Sequence, residues 1–176
     1  MTSTAFIDGD LWSRVEKALP IACVDVLPVQ LDTNNRITAI GLILRAAPAV
    51  ERKWCLVGGR VLYEETLREA IARQINSTLG DHTEYGVLNG ERPVTLAQYS
   101  PSGSPRFLRD PRKHAIGITY LATLGGEVRA GGEALAFRWF TRDSIVERSE
   151  VGFDQDRVID TCVAYIDQQS PRGWWP

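Results

Sequence analysis

Histidine, methionine and cysteine are scarce in this chain, with two, one and three residues among 176. Two histidines, His82 and His114, exclude a histidine-rich metal centre. Cys23, Cys55 and Cys162 are an odd number with no CxxC pair, which fits neither a disulfide framework nor a zinc site. Neither sign of charge is in large excess: 20 Lys and Arg face 22 Asp and Glu, a formal net charge of -2. That balance gives no electrostatic reason to expect nucleic acid or an anionic membrane as partner. A long apolar run is also missing, because the segment from Ile37 to Val50 is broken by Gly41, Arg45 and Pro48. Met1 to Asp10 carries no basic run followed by an apolar stretch, so no signal peptide is visible. These absences lead to the expectation of a soluble, cytoplasmic protein.

What is present suits a globular chain. Hydrophobic residues make up 44% and charged residues 24%. A chain of this size buries roughly 70% of its unfolded surface, enough for one core, and residues 1–176 read as one domain. Asp8 or Asp10 can cap a short helix over 10–19, which Pro20 stops. Val-rich Ala22–Gln30 and Arg36–Arg45 read as a hairpin around the turn cluster 32–35. A loop is expected over Ala46–Lys53, then a short strand from Trp54 to Val57 that runs into Gly58-Gly59. In the segment Glu65–Leu79, Leu67, Ile71, Ile75 and Leu79 recur every fourth residue and Gly80 follows as a C-cap, the pattern of an amphipathic helix. Further strands are expected over Val94–Tyr99, Ala115–Leu124 and Leu135–Phe140, and a last amphipathic helix over 154–168. Strands in runs, interrupted by one long helix and closed by helices, indicate a mixed α/β (α+β) architecture.

The segment WCLVGGRVLYEETLREAIARQINSTLG, Trp54 to Gly80, places a glycine pair at a strand end and then a loop and a helix rich in Glu and Arg. It resembles the Nudix box, Gx5Ex7REUxEExGU, with Gly59, Glu65, Arg73, Ile75 and Gly80 in its frame. The wording GGRVLYEETLREA is similar to that of GDP-mannose mannosyl hydrolase-type proteins. LRDPRKHAIGITYLA, FRWFTRDSI and FDQDRVI look like corresponding segments of ADP-ribose-type Nudix proteins and their transcription-regulator relatives, and the sequence taken whole looks closest to a bacterial branch of the Nudix superfamily. The resemblance covers most of the chain and implies a Nudix fold, a mixed sheet between helices. It also implies a nucleotide ligand, Mg²⁺ or Mn²⁺ as cofactor, and a possible homodimer.

At the box positions where the family has metal-binding acids, this chain has Gln74, Ser77 and Thr78. Mg²⁺ is usually held by one or two carboxylates together with phosphate oxygens, and amide and hydroxyl oxygens bring no net charge. The mannosyl hydrolase branch has a Gln-His pair that supplies a metal ligand and a base, and here those positions are Glu133 and Ala134. The carbonyl of Gly58 and the Glu133 carboxylate are the remaining metal candidates. Glu69 and Glu133 are the catalytic candidates, and a relocated metal site would use Glu133 with Glu64 or Glu69.

On a helical wheel Gln74 and Thr78 fall on the apolar stripe, so they need polar partners or a cleft. The resemblance assigns Glu65, Arg73 and Gly80 to bracing the loop on the helix. It assigns Arg45 and Arg60 to a diphosphate, as Arg chemistry suits, with Gly58 and Gly59 forming the loop beside it. Arg112 and His114 follow Asp110-Pro111 at the end of a long loop that can contact a base or sugar. The expected function is recognition of a nucleoside diphosphate linked to another moiety, ADP-ribose or a nucleotide sugar, with hydrolysis lost or reduced. The alternatives are an active hydrolase with a relocated metal site and a structural or oligomerisation protein.

Overall fold

Strand β1, Ile21–Leu31, has every residue from Cys23 to Val29 buried. Its Val-rich sequence suits such a position, and its pairing explains the burial. The computed structural model describes residues 8–47, 50–102 and 105–166. In it β1 runs parallel to β8, Ala115–Gly126, with Cys23 opposite Gly117 and Asp25 opposite Thr119. Antiparallel to β1 lie β4, Val57–Arg60, with Asp25 opposite Gly58, and β2, Ile37–Ala47, with Val29 opposite Ile40. Among the described residues β1 thus exchanges ladder hydrogen bonds with three strands.

The remaining strands extend both sides. β3, Val50–Cys55, and β9, Ala134–Phe140, each pair antiparallel with β2. β5, Thr83–Val87, and β6, Thr95–Ser100, each pair antiparallel with β8, and short β7, Leu108–Arg109, runs parallel to β6. The sheet is mixed and curled, with three α-helices: α1, Gly9–Ala18, α2, Leu67–Leu79, and α3, Gln155–Ile166. The expected α+β class is observed.

The hairpin turn follows its local chemistry. Asp32 Oδ1 accepts the N–H groups of Asn34 and Arg36 at 2.8 and 2.9 Å, and Asn35 takes φ 60°, as Asx turns allow. Helix α1 is capped by Asp8, whose Oδ1 accepts the Leu11 N–H. Helix α2 starts at a capping box of Thr66 and Glu69 and ends at Gly80, φ 95°.

Several expectations are corrected. Residues 50–53 form the start of β3 rather than a loop. Their run of charges hides an outer strand, because charge is what such strands carry. The expected strand Trp54–Val57 is divided at Leu56 between β3 and β4. Strands β5 and β7 were not expected, being short and mostly polar. Leu67 is 37% exposed, so the buried stripe of α2 starts at Ala70 and Ile71. The last helix is described to Ile166, and positions 167–168 lie outside the described residues, as does the Trp174-Trp175 pair. No helix of the described residues is long and apolar enough to cross a membrane.

Two helices cover the sheet around β1. Ala70, Ile71, Ile75 and Leu79 of α2 are buried, and the helix contacts β4, β1 and β5. Val158, Ile159, Cys162 and Val163 of α3 are buried, and that helix contacts β6. A buried Ile or Val side chain is worth about 1.5–3 kcal/mol, so these faces fix both helices on the sheet. The cleft they leave beside β1 and β4 is the site.

Candidate functional site

A cavity of about 370 Å³ opens where β1, β4 and α2 meet the loops before β8 and β9. That volume suits a small-molecule ligand. The box loop and helix build one wall. Arg73 of α2 grips Glu65 through two bonds, Nε to Oε1 at 2.6 Å and Nη2 to Oε2 at 2.8 Å. The same Nη2 donates to the Arg60 carbonyl at 2.8 Å, and Glu65 Oε2 accepts the Leu62 N–H at 2.8 Å. This fork ties residues 60–65 to the helix. It also holds the Glu65 carboxyl below the usual carboxylate range, first through the Arg73 hydrogen bond.

The loop before β9 is held by the end of α2. Arg129 and Gly131 donate their N–H groups to the Leu79 and Thr78 carbonyls at 2.8 and 2.9 Å, which satisfies helix-end acceptors. Gly132, φ 56°, lies so close that a Cβ there would stand 2.6 Å from the Ser77 carbonyl oxygen. Glu133 is thereby delivered to the cavity, where its Oε2 accepts from Arg45 Nη2 of β2 at 2.6 Å.

The loop before β8 supplies the third side. Asp110 is buried and holds Arg112 through Nε at 2.9 Å and Nη2 at 2.9 Å. The Arg112 guanidinium lies 4.4 Å from the centroid of the Phe153 ring, a cation–π contact. Arg60 stacks 4.2 Å from the Trp12 ring of α1, with Lys113 at 5.9 Å from the same ring. Cationic side chains thus line the cavity from four directions: Arg45, Arg60, Arg73, Arg112 and Lys113. They face three carboxylates, Asp25, Asp110 and Glu133. The cavity is net positive and contains forked guanidinium groups suited to phosphate oxygens.

Most of the residues marked by sequence come together here. Arg45, Gly58, Gly59, Arg60, Gln74, Ser77, Thr78, Arg112 and Glu133 line the cavity. Gln74 and Thr78 are buried on α2, as the wheel required. His114 does not line it: its carbonyl accepts the Ile21 N–H, and its ring sits edge-on to Phe107. Glu69 is exposed outside the cavity, where it closes the capping box of α2. Glu64, at φ 59°, is also exposed and does not line it.

Sequence reasoning passed over Asp25, Tyr99, Asp110 and Lys113, all of which line the cavity. Asp25 was the one with a signal, a lone carboxylate inside a Val-rich strand. Burial raises its carboxyl to about 6, opposed by the charges of Arg45 and Lys113. The thiol of Cys23, beside it on β1, is pushed up to about 11 by burial, which disfavours the thiolate at neutral pH.

The Mg²⁺ or Mn²⁺ that the resemblance implies does not fit these residues. Among the described residues no three His, Cys, Asp or Glu side chains converge to hold an ion. Gln74, Ser77 and Thr78 contribute no charge, and Glu133 is taken up by Arg45. A dication placed here would meet surrounding guanidinium groups with only Asp25 unpaired to offset them.

A family model described as a domain of unknown function, DUF4916, matches residues 2–167. No curated protein matches the chain by sequence. Among solved structures, a possible asymmetric diadenosine tetraphosphate hydrolase from Jonesia denitrificans is 27% identical, with a TM-score of 0.79, covering 88% of this chain and 99% of that one. An ADP-ribose pyrophosphatase from Streptococcus suis is 16% identical, with a TM-score of 0.57, covering 90% and 97%. A UDP-X diphosphatase is 18% identical, with a TM-score of 0.63, covering 97% and 75%. The fold is that of the Nudix superfamily.

Proposed function

We propose a ligand-binding function for this chain, which belongs to the DUF4916 family and has a Nudix fold: it holds a nucleoside diphosphate linked to another moiety, without the metal-dependent hydrolysis of Nudix enzymes. ADP-ribose and nucleotide sugars are the ligand classes. The observation that carries the reading is the charge of the cavity. Carboxylates are missing from positions 74, 77 and 78 of the helix, while Arg45, Arg60, Arg112 and Lys113 stand around it.

A diphosphate carries negative charge that a Nudix enzyme shares with a metal ion. In this chain guanidinium and ammonium groups take that part. Charge-assisted bonds from Arg to phosphate are about twice as strong as neutral ones and often bidentate. The names of the similar structures support the ligand class, because diadenosine tetraphosphate, ADP-ribose and a UDP conjugate all contain a phosphoanhydride between two moieties.

The test is calorimetry with ADP-ribose and nucleotide sugars, in chelator and in millimolar Mg²⁺, beside a hydrolysis assay. Binding of at least one of them with no need for metal is expected. Arg45→Ala and Arg60→Ala should each weaken it while the protein stays folded. Chelator-sensitive turnover at roughly 1 per second or faster overturns the reading in favour of an active hydrolase. No binding of any nucleotide points to a structural role.

A further inference from the structure

Gly58 and Gly59 are neighbours in β4 and therefore face opposite sides of the sheet. A Cβ on Gly59 would meet Gln74 Nε2 at 2.6 Å, on the α2 side. A Cβ on Gly58 would meet Asp25 Oδ1 at 2.5 Å, on the other side. The cavity therefore reaches past the edge of β4 to the face away from the box helix.

On that face Asp25 is boxed in by missing side chains. A Cβ on Gly117 would stand 2.6 Å from Asp25 Oδ2 and 2.9 Å from the Tyr99 ring. Both carboxylate oxygens thus occupy space that two glycines leave. Asp25 is 8% exposed and lines the cavity, yet it takes no hydrogen bond from any described residue. The Tyr99 hydroxyl is buried beside it, near Gln155, and makes no hydrogen bond of good geometry. Gln155 Oε1 is already used by the Leu56 N–H at 2.9 Å. A buried carboxylate without partners is costly, and a ligand donor removes that cost.

The surroundings select the kind of donor. Asp110 and Glu133 are engaged by Arg112 and Arg45, which leaves the cavity positive, so a cationic ligand is disfavoured. An anion is repelled by Asp25 itself. Neutral donors satisfy both conditions, and among them two adjacent hydroxyls match the two oxygens of an acceptor-only carboxylate.

Resting on the nucleotide-binding reading above, we infer that Asp25, with Tyr99 beside it, forms a sugar subsite on the sheet face opposite α2. It takes vicinal hydroxyls of the ligand's pentose or hexose while the cationic rim holds the phosphates. Asp25 is a binding and specificity residue in this arrangement. Arg45, Arg112, Lys113, Asp110, Cys23, Tyr99, Cys55 and Cys162 are the charged and titratable groups around it.

The test compares three probes on the full chain by calorimetry in chelator. ADP-ribose carries adenine, diphosphate and two riboses, ribose 5-phosphate carries a sugar and a phosphate without the base, and inorganic pyrophosphate carries the phosphates alone. Asp25→Asn should weaken ribose 5-phosphate as well as ADP-ribose, and a loss confined to ADP-ribose places the base at Asp25 and overturns the sugar assignment. Asp25→Asn should weaken ADP-ribose about tenfold or more and leave pyrophosphate unchanged or tighter. The ratio of ADP-ribose to pyrophosphate affinity should fall on acidification through about pH 6 in the native protein and stay flat in the variant. Tyr99→Phe should weaken ADP-ribose without affecting pyrophosphate.

Equal or tighter ADP-ribose binding by Asp25→Asn overturns the subsite and leaves nucleotide binding standing. Failure of the native protein to bind any of the probes overturns both readings. Stabilisation of native protein but not Asp25→Asn by Mg²⁺ alone makes Asp25 a metal ligand and overturns the sugar assignment.

Discussion

Arg45 Nη2 and Glu133 Oε2 lie 2.6 Å apart, joining β2 to the loop before β9 at the wall of the cavity. The Arg45 side chain is 14% exposed and that of Glu133 is 42% exposed, so the pair sits at a boundary between protein and solvent. Resemblance to the mannosyl hydrolase branch assigned one residue to phosphate and the other to metal. The ion pair gives each of them a protein partner as well, and any ligand phosphate must compete with Glu133 for the guanidinium.

Glu133→Gln should therefore strengthen anion binding. The variant removes a negative charge from the cavity and releases part of Arg45. A decrease of roughly threefold or more in the dissociation constant for pyrophosphate is expected, shrinking at high salt. Calorimetry at two ionic strengths measures it. Weaker binding would show that Glu133 instead holds Arg45 in its working position.

The fork between Arg73 and Glu65 is mainly structural. Arg73→Ala leaves the Glu65 carboxylate with the Leu62 N–H alone and takes the guanidinium donor from the Arg60 carbonyl. A loss of about 2–4 kcal/mol in urea unfolding is expected. Glu65 is held below its ordinary range, so its contribution is present above about pH 4.5 and declines as pH falls through the lowered value. A variant as stable as the native chain at pH 7 would contradict the bracing role.

Asp25 predicts the opposite pH dependence. Its folded value, about 6, lies above the ordinary 3.8. The folded state therefore holds its proton more tightly, and stability from this group is lost as pH rises from about 4 through 6. Asp25→Asn should match the native protein near pH 4. It should exceed it by roughly 1–3 kcal/mol at pH 7.5, in the absence of ligand. Denaturant melts at the two pH values check this, and a variant less stable at pH 7.5 than at pH 4 relative to native would contradict it.

Restoring acids to the helix tests the metal reading. Gln74→Glu, Ser77→Glu and Thr78→Glu together place three carboxylates on one helix face at i, i+3 and i+4. Their repulsion should lower the melting temperature in chelator, because positions 74 and 78 are buried. Millimolar Mg²⁺ or Mn²⁺ should recover it by linkage. Equal stabilisation of native and variant by metal would place a metal site elsewhere in the native chain.

Local chemistry was strong enough to read much of this protein directly. The apolar spacing of Ile71, Ile75 and Leu79 with Gly80 behind them determined a helix, because apolar stripes and C-cap glycines act over a few residues, whereas Gly58 and Gly59, expected in a loop, lie in β4. The same wheel put Gln74 and Thr78 on the buried side. Substituted acids at 74, 77 and 78 are visible without any coordinates. Tertiary structure alone decided what surrounds them. Asp25, Tyr99, Asp110 and Lys113 come from β1, β6 and the loop before β8, and no local pattern links residues so far apart in the chain. Whether Glu133 is free or paired depended on Gly131 and Gly132 docking on the end of α2. Asp25 belongs to the site only because Gly58 and Gly117, on two other strands, leave room for its carboxylate. Register between strands is set by packing the whole sheet, and so the floor of the cavity became legible only once the strands were side by side.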